Sequence, residues 1–161
     1  MSRTLVAYFS ATGITRKLAL NFAETLNADI FEIIPEQPYT EKEINWTNPL
    51  SRCNKEKIGK KDVPVAGKVE NMVDYDTVFI GFPIWYYCAP NVVSTFVKDY
   101  DWSGKKVALF ATSGGSDVGK SVEKLRPFMP GTPHMAGAKL FDGNASAEEI
   151  LNWTERIIKW M

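Results

Sequence analysis

The apolar positions of this chain alternate between short continuous runs and runs with a helical period. Leu5 to Phe9 is a continuous apolar run of strand length. The apolar positions that follow it recur at helical spacing, at Leu18, Ala19, Phe22, Ala23 and Leu26. Thr77 to Phe82 and Lys106 to Ala111 are again short and nearly unbroken, which is typical of parallel strands covered by helices on both faces. The pattern therefore predicts a strand, a turn and a helix, followed by two buried strands of a parallel sheet.

The remaining elements continue this alternation. Ile30 to Ile34 predicts a less buried second strand, and Ala138 to Phe141 predicts a short last strand. Pro90 is placed as a first-turn proline, and Ser146 with Glu149 forms a capping box that opens a final helix. Two helices between these points are indicated by apolar positions of period near 3.6, which are Val92, Val93, Phe96 and Val97, and then Val118, Val122, Leu125 and Met129. This order predicts an α/β fold with a doubly wound parallel sheet.

The segment from Pro35 to about Asp76 has no strong period. A structureless loop of that length is uncommon in a compact domain, so we expect a short helix within it, with Val69, Met72 and Val73 as its best candidates. The chain has 161 residues, of which 45% are hydrophobic, which is enough for one well-buried core. We therefore predict a single domain over residues 1–161.

The charge balance narrows the class of partner. Nineteen basic and nineteen acidic residues give a formal net charge of zero, so nothing calls for nucleic acid or an anionic membrane. A small molecule or a protein is the better partner. The two cysteines, Cys53 and Cys88, lie far apart and outside any metal-ligand spacing. The sequence therefore predicts no metal site. Because it has no signal peptide and no stretch of membrane-spanning length, it also predicts a cytoplasmic protein.

The loop after the first strand has the composition of a phosphate site. It consists of Ser10, Ala11, Thr12, Gly13, Ile14 and Thr15, between a strand end and a helix start. Free amides at a helix N-terminus and short hydroxyl groups donate to phosphate oxygens, and a glycine lets the backbone approach them. An ordinary helix cap with turn residues would look the same. Because the loop has no lysine or arginine, it suits a phosphate monoester better than a triphosphate cleaved with Mg²⁺.

Two further loops follow the next two strands. The first contains Pro83, Ile84, Trp85 and Tyr86, and its aromatic rings could form a stacking wall for a planar heterocycle or a cap on the core. The second contains Thr112, Ser113, Gly114, Gly115 and Ser116, whose small side chains leave backbone amides accessible. In open parallel sheets, ligands bind outside the carboxyl ends of the strands, so we expect the three loops to meet there.

Residues 114–121, GGSDVGKS, also match the phosphate-binding pattern of nucleotide triphosphatases. About 40 residues follow Ser121, too few for the usual remainder of such a core, and Asp142 is the sole candidate for a magnesium-binding aspartate. We therefore expect Lys120 to be a surface residue of a helix.

Four segments in order make the chain resemble the short-chain flavodoxin family over essentially its whole length. They are FSATGIT, IGFPIWYYCAPNVVSTF, GKKVALFATSGGSDVGKS and SAEEILNWTERI. The resemblance implies a five-stranded parallel sheet of order 2-1-3-4-5 with helices on both faces. It also implies FMN as cofactor. By resemblance, Ser10, Thr12, Gly13 and Thr15 hold the phosphate, Ala11 and Ile14 add amides, Pro83 to Tyr86 line one side of the ring system, and Thr112 to Ser116 line the other. Trp85 or Tyr86 would stack on the flavin.

The function implied by the resemblance is electron transfer between redox partner proteins. The alternative is an NAD(P)H-dependent FMN oxidoreductase acting on a quinone or similar acceptor. The neutral charge and the enlarged loop at residues 45–52 favour the enzyme, whereas the small size and the absence of a GxGxxG motif favour the carrier. We place His134 in a surface loop and Cys88 outside the site, since no cation near it in the sequence would activate its thiol.

Overall fold

The computed structural model describes residues 3–10, 13–36, 63–84, 89–112 and 121–159. The strands of these ranges are β1 (Thr4–Tyr8), β2 (Asp29–Glu32), β3 (Ile34–Pro35), β4 (Val65–Ala66), β5 (Thr77–Pro83), β6 (Lys106–Thr112) and β7 (His134–Leu140). The α-helices are α1 (Ile14–Leu26), α2 (Asn91–Lys98), α3 (Ser121–Leu125) and α4 (Ala147–Lys159), and short 3₁₀ helices cover Met72–Asp74 and Arg126–Phe128.

The main sheet has five parallel strands in the order β2-β1-β5-β6-β7. Counted along this sheet alone, that is the predicted order 2-1-3-4-5, so the predicted fold class is confirmed. The chain moves from β1 to β2 on one side and then returns to β5 on the other, so strand order reverses beside β1. In-register pairing of Tyr8 with Gly81 and of Pro83 with Thr112 brings the carboxyl ends of β1, β5 and β6 to one edge. We call this the carboxyl edge.

Two apolar layers cover the two faces of the sheet. Successive residues of β1 point to opposite sides: Leu5 and Ala7 join the layer with α2 and α3, while Val6 joins the layer with α1 and α4. The second layer contains an aromatic cluster, which consists of Phe22, Phe79, Phe110, Phe141 and Trp153. Phe22 is its centre, since it stacks on Phe110 at 4.2 Å between centroids and meets Phe141 edge-on at 5.3 Å. This packing fixes α1, and therefore its N-terminus, against the sheet.

Gly81 makes room for this cluster in the middle of β5. A β-carbon at Gly81 would lie 2.2 Å from Cε2 of Phe110, whose ring is fully buried and cannot move aside. We therefore expect Gly81→Ala to lower the free energy of unfolding by about 1–3 kcal/mol through overpacking, measured by urea denaturation. Phe110→Leu removes the obstructing ring, so the double variant should lose less stability than the two single variants added together. Simple additivity would contradict the steric explanation.

A polar network closes the opposite, amino edge of the sheet. Lys105 is buried there, and its Nζ donates to the carbonyl oxygens of Met72 at 2.8 Å and Tyr75 at 2.6 Å. The Tyr75 hydroxyl donates to Asp29 Oδ2 at 2.7 Å, and Arg3 Nη2 contacts the same oxygen at 2.7 Å. The hydrogen bonds from Tyr75 and Arg3 lower the pKa of Asp29 below its ordinary value of 3.8.

This shift predicts a small acid sensitivity. Because Asp29 binds its proton less readily in the folded protein, its stabilising contribution is complete at neutral pH and is lost as the pH falls through its folded pKa, below 3.8. Arg3 and Asp29 are 47% and 54% exposed, so solvent weakens the effect. Between about pH 7 and pH 3, the thermal midpoint of Asp29→Asn should fall by slightly less than that of the unsubstituted protein. An equal fall in both would contradict this assignment.

Several predicted boundaries differ from the structure. The last strand, predicted at Ala138 to Phe141, runs over His134–Leu140, because it is a half-exposed edge strand whose first half lacks a continuous apolar run. The predicted second strand splits: β2 ends at Glu32, and Ile34 pairs with Ala66 in the antiparallel β3–β4 sheet. Pro90 is the N-cap of α2 and not a first-turn residue.

Other predicted elements are confirmed in part or in full. The helix with Val122 and Leu125 ends at Leu125 and continues as a 3₁₀ turn, and Val118 lies outside the described residues. The short helix expected near Met72 is a 3₁₀ helix. Ser146 Oγ accepts from the Glu149 amide at 3.2 Å, as the capping box predicts.

Candidate functional site

The first part of the site is the N-terminus of α1, which opens at the carboxyl edge. Gly13 is the N-cap with φ of +95°, a conformation that favours glycine, and a β-carbon there would meet nothing within 4 Å. The Gly13 amide donates to Ser10 Oγ at 3.0 Å, which closes the turn after β1. Gly13 has no side chain that could cap the helix, and the first turn contains no acidic residue. The positive end of the helix dipole is therefore left for an anion from outside the helix.

The second part is Thr112, at which the three predicted loops are tied together. Its Oγ1 lies 2.7 Å from Oγ1 of Thr15 in the first turn of α1, and both side chains are buried. Its carbonyl oxygen accepts from the Ile84 amide at 2.8 Å. Thr112 therefore contacts the start of α1, the loop after β5, and the loop that it begins itself. The structure brings Ser10, Gly13, Thr15, Ile84 and Thr112 to one edge.

The remaining predicted site residues are distributed as follows. Pro83 ends β5 beside Thr112, and Ile14 begins α1 with its side chain 55% exposed. Ala11, Thr12, Trp85, Tyr86 and Ser113 to Ser116 lie outside the described residues, as do Cys88 and Lys120. Stacking by Trp85 or Tyr86 stays a prediction. His134 was predicted in a surface loop but is the first residue of β7, at the amino edge, where it pairs with Lys106.

The loop after β7 supports the start of α1, a contact that the sequence pattern does not predict. Lys17 Nζ donates to Asn144 Oδ1, and Asn21 Nδ2 donates to the Ala145 carbonyl oxygen at 2.7 Å. Gly143 packs so closely on Ile14 that a β-carbon on Gly143 would lie 2.7 Å from Ile14 Cγ2. Asp142 accepts from the Asn144 amide at 2.8 Å and so shapes this turn. Residues 142–144, D-G-N, are typical of a turn, but nothing in the sequence indicates that this turn contacts α1.

Tyr8, the last residue of β1, is an ionisable group close to the carboxyl edge. Burial raises the pKa of the Tyr8 phenol above its ordinary value of 10.0, and the nearby Glu32 carboxylate raises it further, while Arg16 lowers it. Tyr8 is therefore uncharged near neutral pH. The donors that meet at the carboxyl edge are hydroxyl and amide groups, which suit binding and orientation of a phosphate ester.

The family is decided by a match over nearly the entire sequence. The family model of the flavodoxins matches residues 3–157. The chain belongs to the flavodoxin family. A comparison with the curated proteins finds no match. In the described parts of this flavodoxin-family protein, no helix combines the length and apolar character needed to cross a membrane.

Solved structures place this flavodoxin-family protein among flavoproteins. A Bacteroides eggerthii protein named as a flavoprotein is 37% identical, with 98% of this chain and 99% of that chain covered and a TM-score of 0.91. A second one, from Bacteroides uniformis, is 35% identical, covers 96% of this chain and 98% of its own, and has a TM-score of 0.87. A Lactobacillus acidophilus flavoprotein in complex with FMN is 21% identical, with coverage of 96% and 99% and a TM-score of 0.69, which shows a shared fold.

Proposed function

We propose that this protein binds one FMN at the carboxyl edge and uses it to transfer electrons between redox partners. The observation that carries the proposal is the N-terminus of α1. It opens at the point where strand order reverses, its N-cap is a glycine with open space around it, and its first turn has no acidic side chain. A phosphate monoester fits these features because amides and the helix dipole supply the attraction that a basic side chain would otherwise provide.

The residues of this chain divide the work of holding FMN. Ser10, Thr12, Gly13 and Thr15 would hold the phosphate, with Ala11 and Ile14 contributing amides. Pro83 to Tyr86 would line one side of the isoalloxazine ring and Thr112 to Ser116 the other. When bound, FMN supplies the redox chemistry, and the protein binds, orients and shields it.

Electron transfer is the favoured role because an electron carrier needs no general acid or base. The described side chains that meet at the site do not exchange protons near neutral pH. They are the hydroxyl groups of Ser10, Thr15 and Thr112 and the apolar Ile84. The second candidate is an NAD(P)H-dependent FMN oxidoreductase acting on a quinone. The neutral net charge supports it, since a carrier that docks on charged partners gains from a strong charge of its own. We further propose that the protein is a single cytoplasmic domain.

The first experiment separates cofactor binding from the use of the cofactor. Cofactor-free protein is titrated with FMN and with riboflavin, and flavin fluorescence is followed. We expect saturation at one FMN per chain and weaker binding of riboflavin, which lacks the phosphate. No saturable FMN binding would contradict the proposed function.

The second experiment uses the FMN-loaded protein. NADH or NADPH is added with and without a soluble quinone, and nicotinamide absorbance is followed. A carrier should show no sustained oxidation of either nucleotide, but after chemical reduction it should pass electrons to a second redox protein. Sustained oxidation that depends on the quinone would instead establish the reductase.

A further inference from the structure

The hydroxyl groups of Thr15 and Thr112 form a buried pair that joins two segments 97 residues apart in the sequence. Thr15 is 2% exposed and Thr112 is 6% exposed, so water does not readily replace either partner. Each hydroxyl has one hydrogen to donate and two lone pairs to accept with. At 2.7 Å between the oxygens, one threonine donates and the other accepts, and either direction satisfies the geometry.

A bound phosphate would select one of these two directions. An ionised phosphate offers only acceptor oxygens, so Thr15 can contact it only by donating its single hydrogen. The Thr15 oxygen must then receive a hydrogen from Thr112. We propose, resting on the FMN function above, that Thr112 is a positioning residue that donates to Thr15 and so assigns the Thr15 hydrogen to the phosphate.

Thr112 is suited to this role because the sheet fixes its own position. It is the last residue of β6, where it pairs in register with Pro83, and its carbonyl oxygen accepts from the Ile84 amide at 2.8 Å. Thr15 is held by the helix, so the pair sets the first turn of α1 at a defined height above the strand ends. A hydroxyl that accepts a hydrogen bond also becomes a stronger donor, so the chain Thr112 to Thr15 to phosphate is cooperative.

The test compares Thr112→Val with Thr112→Ser, since valine keeps the shape and loses the hydroxyl, whereas serine keeps the hydroxyl. Dissociation constants are measured for FMN and for riboflavin. Thr112→Val should weaken FMN binding roughly three- to tenfold more than it weakens riboflavin binding, and Thr112→Ser should restore the FMN to riboflavin affinity ratio. Equal weakening of both ligands would mean a purely structural role and would overturn the inference.

A double-variant cycle tests whether Thr112 acts through Thr15. In the Thr15→Val background, Thr112→Val should change FMN affinity no further, because no Thr15 hydroxyl remains to be oriented. An undiminished effect in that background would also overturn the inference. Thr154→Val is the matched control: Thr154 is buried in α4, its hydroxyl donates to the Leu151 carbonyl oxygen, and its loss should leave the FMN to riboflavin affinity ratio unchanged.

Thermal unfolding of the cofactor-free variants checks that each one folds. If Thr112→Val does not fold, Thr112→Ala and Thr112→Ser take its place, and the FMN to riboflavin ratio is compared between them. Failure of the unsubstituted protein to bind FMN would overturn the proposed function together with this inference. Normal FMN binding with no change in the ratio on loss of the Thr112 hydroxyl would overturn the inference alone.

Discussion

Replacing Phe22 with alanine should lower the free energy of unfolding by about 3–5 kcal/mol, measured by urea denaturation. Phe22 is fully buried and contacts four other aromatic rings, which come from β5, β6, the residue after β7, and α4. The substitution removes the ring at the centre of this cluster and leaves a cavity that the surrounding rings cannot fill, because β-strands fix two of them.

Leu20→Ala is the matched control, since Leu20 lies on the same helix but is 49% exposed. Both substitutions place alanine in α1, so the two changes in intrinsic helix propensity differ by no more than a few tenths of a kcal/mol. We expect Leu20→Ala to cost about 1 kcal/mol or less. If the two variants lost equal stability, the aromatic cluster would not be what holds α1 on the sheet.

Replacing Gly13 with aspartate should weaken FMN binding by at least roughly a hundredfold, because a carboxylate at the N-cap repels the phosphate and takes over the helix amides. Aspartate is among the side chains that tolerate positive φ, and there is open space where its β-carbon would be. The positive φ strains any side chain, so the variant should lose some stability, but the free space lets it fold, and Gly104→Asp carries a comparable strain. Fluorescence titrations with FMN and riboflavin measure the effect, and riboflavin should lose far less affinity.

Gly104→Asp controls for adding a negative charge at a glycine of positive φ. Gly104 has φ of +73° with nothing within 4 Å of a built β-carbon, and it lies in the turn before β6, at the amino edge. Its FMN affinity should remain within about twofold of that of the unsubstituted protein, since the charges are separated by the length of a strand and are screened. A large loss in both variants would mean that net charge, and not the position beside α1, controls binding.

The sequence predicted those parts of the fold in which local pattern and final environment agree. β1, β5 and β6 are buried on both faces and so read as unbroken apolar runs, and α1 shows its buried stripe at Leu18, Ala19, Phe22 and Ala23. β7 begins before the strand predicted at Ala138 to Phe141, because an edge strand needs no continuous apolar run and Gly137 and Lys139 interrupt the apolar positions of this one. The β3–β4 pair was missed because two-residue strands are too short to show a period.

The candidate site was predictable at the level of loops but not of contacts. Ser10 to Thr15 could be assigned to a strand-to-helix turn, and the topology of parallel sheets brings that turn beside Thr112. That the hydroxyls of Thr15 and Thr112 meet depends on the rotation and height of α1. Those are set by the packing of Phe22 and by the contact between Ile14 and Gly143. Such geometry arises from the whole core and leaves no local mark in the sequence.

The aromatic cluster also constrains the order in which the chain can fold. Its members lie between residue 22 and residue 153, so the buried face of the first helix is completed by the last helix. During synthesis, Phe22 leaves the ribosome long before Phe110, Phe141 and Trp153. The apolar face of α1 therefore stays exposed until these residues have been made. Bringing such distant residues together costs chain entropy before their contacts contribute any stabilising free energy. Folding should therefore be slow relative to that of a helical bundle. The helix proposed to hold the phosphate is therefore synthesised early, but its buried face is covered only after the last helix has been made.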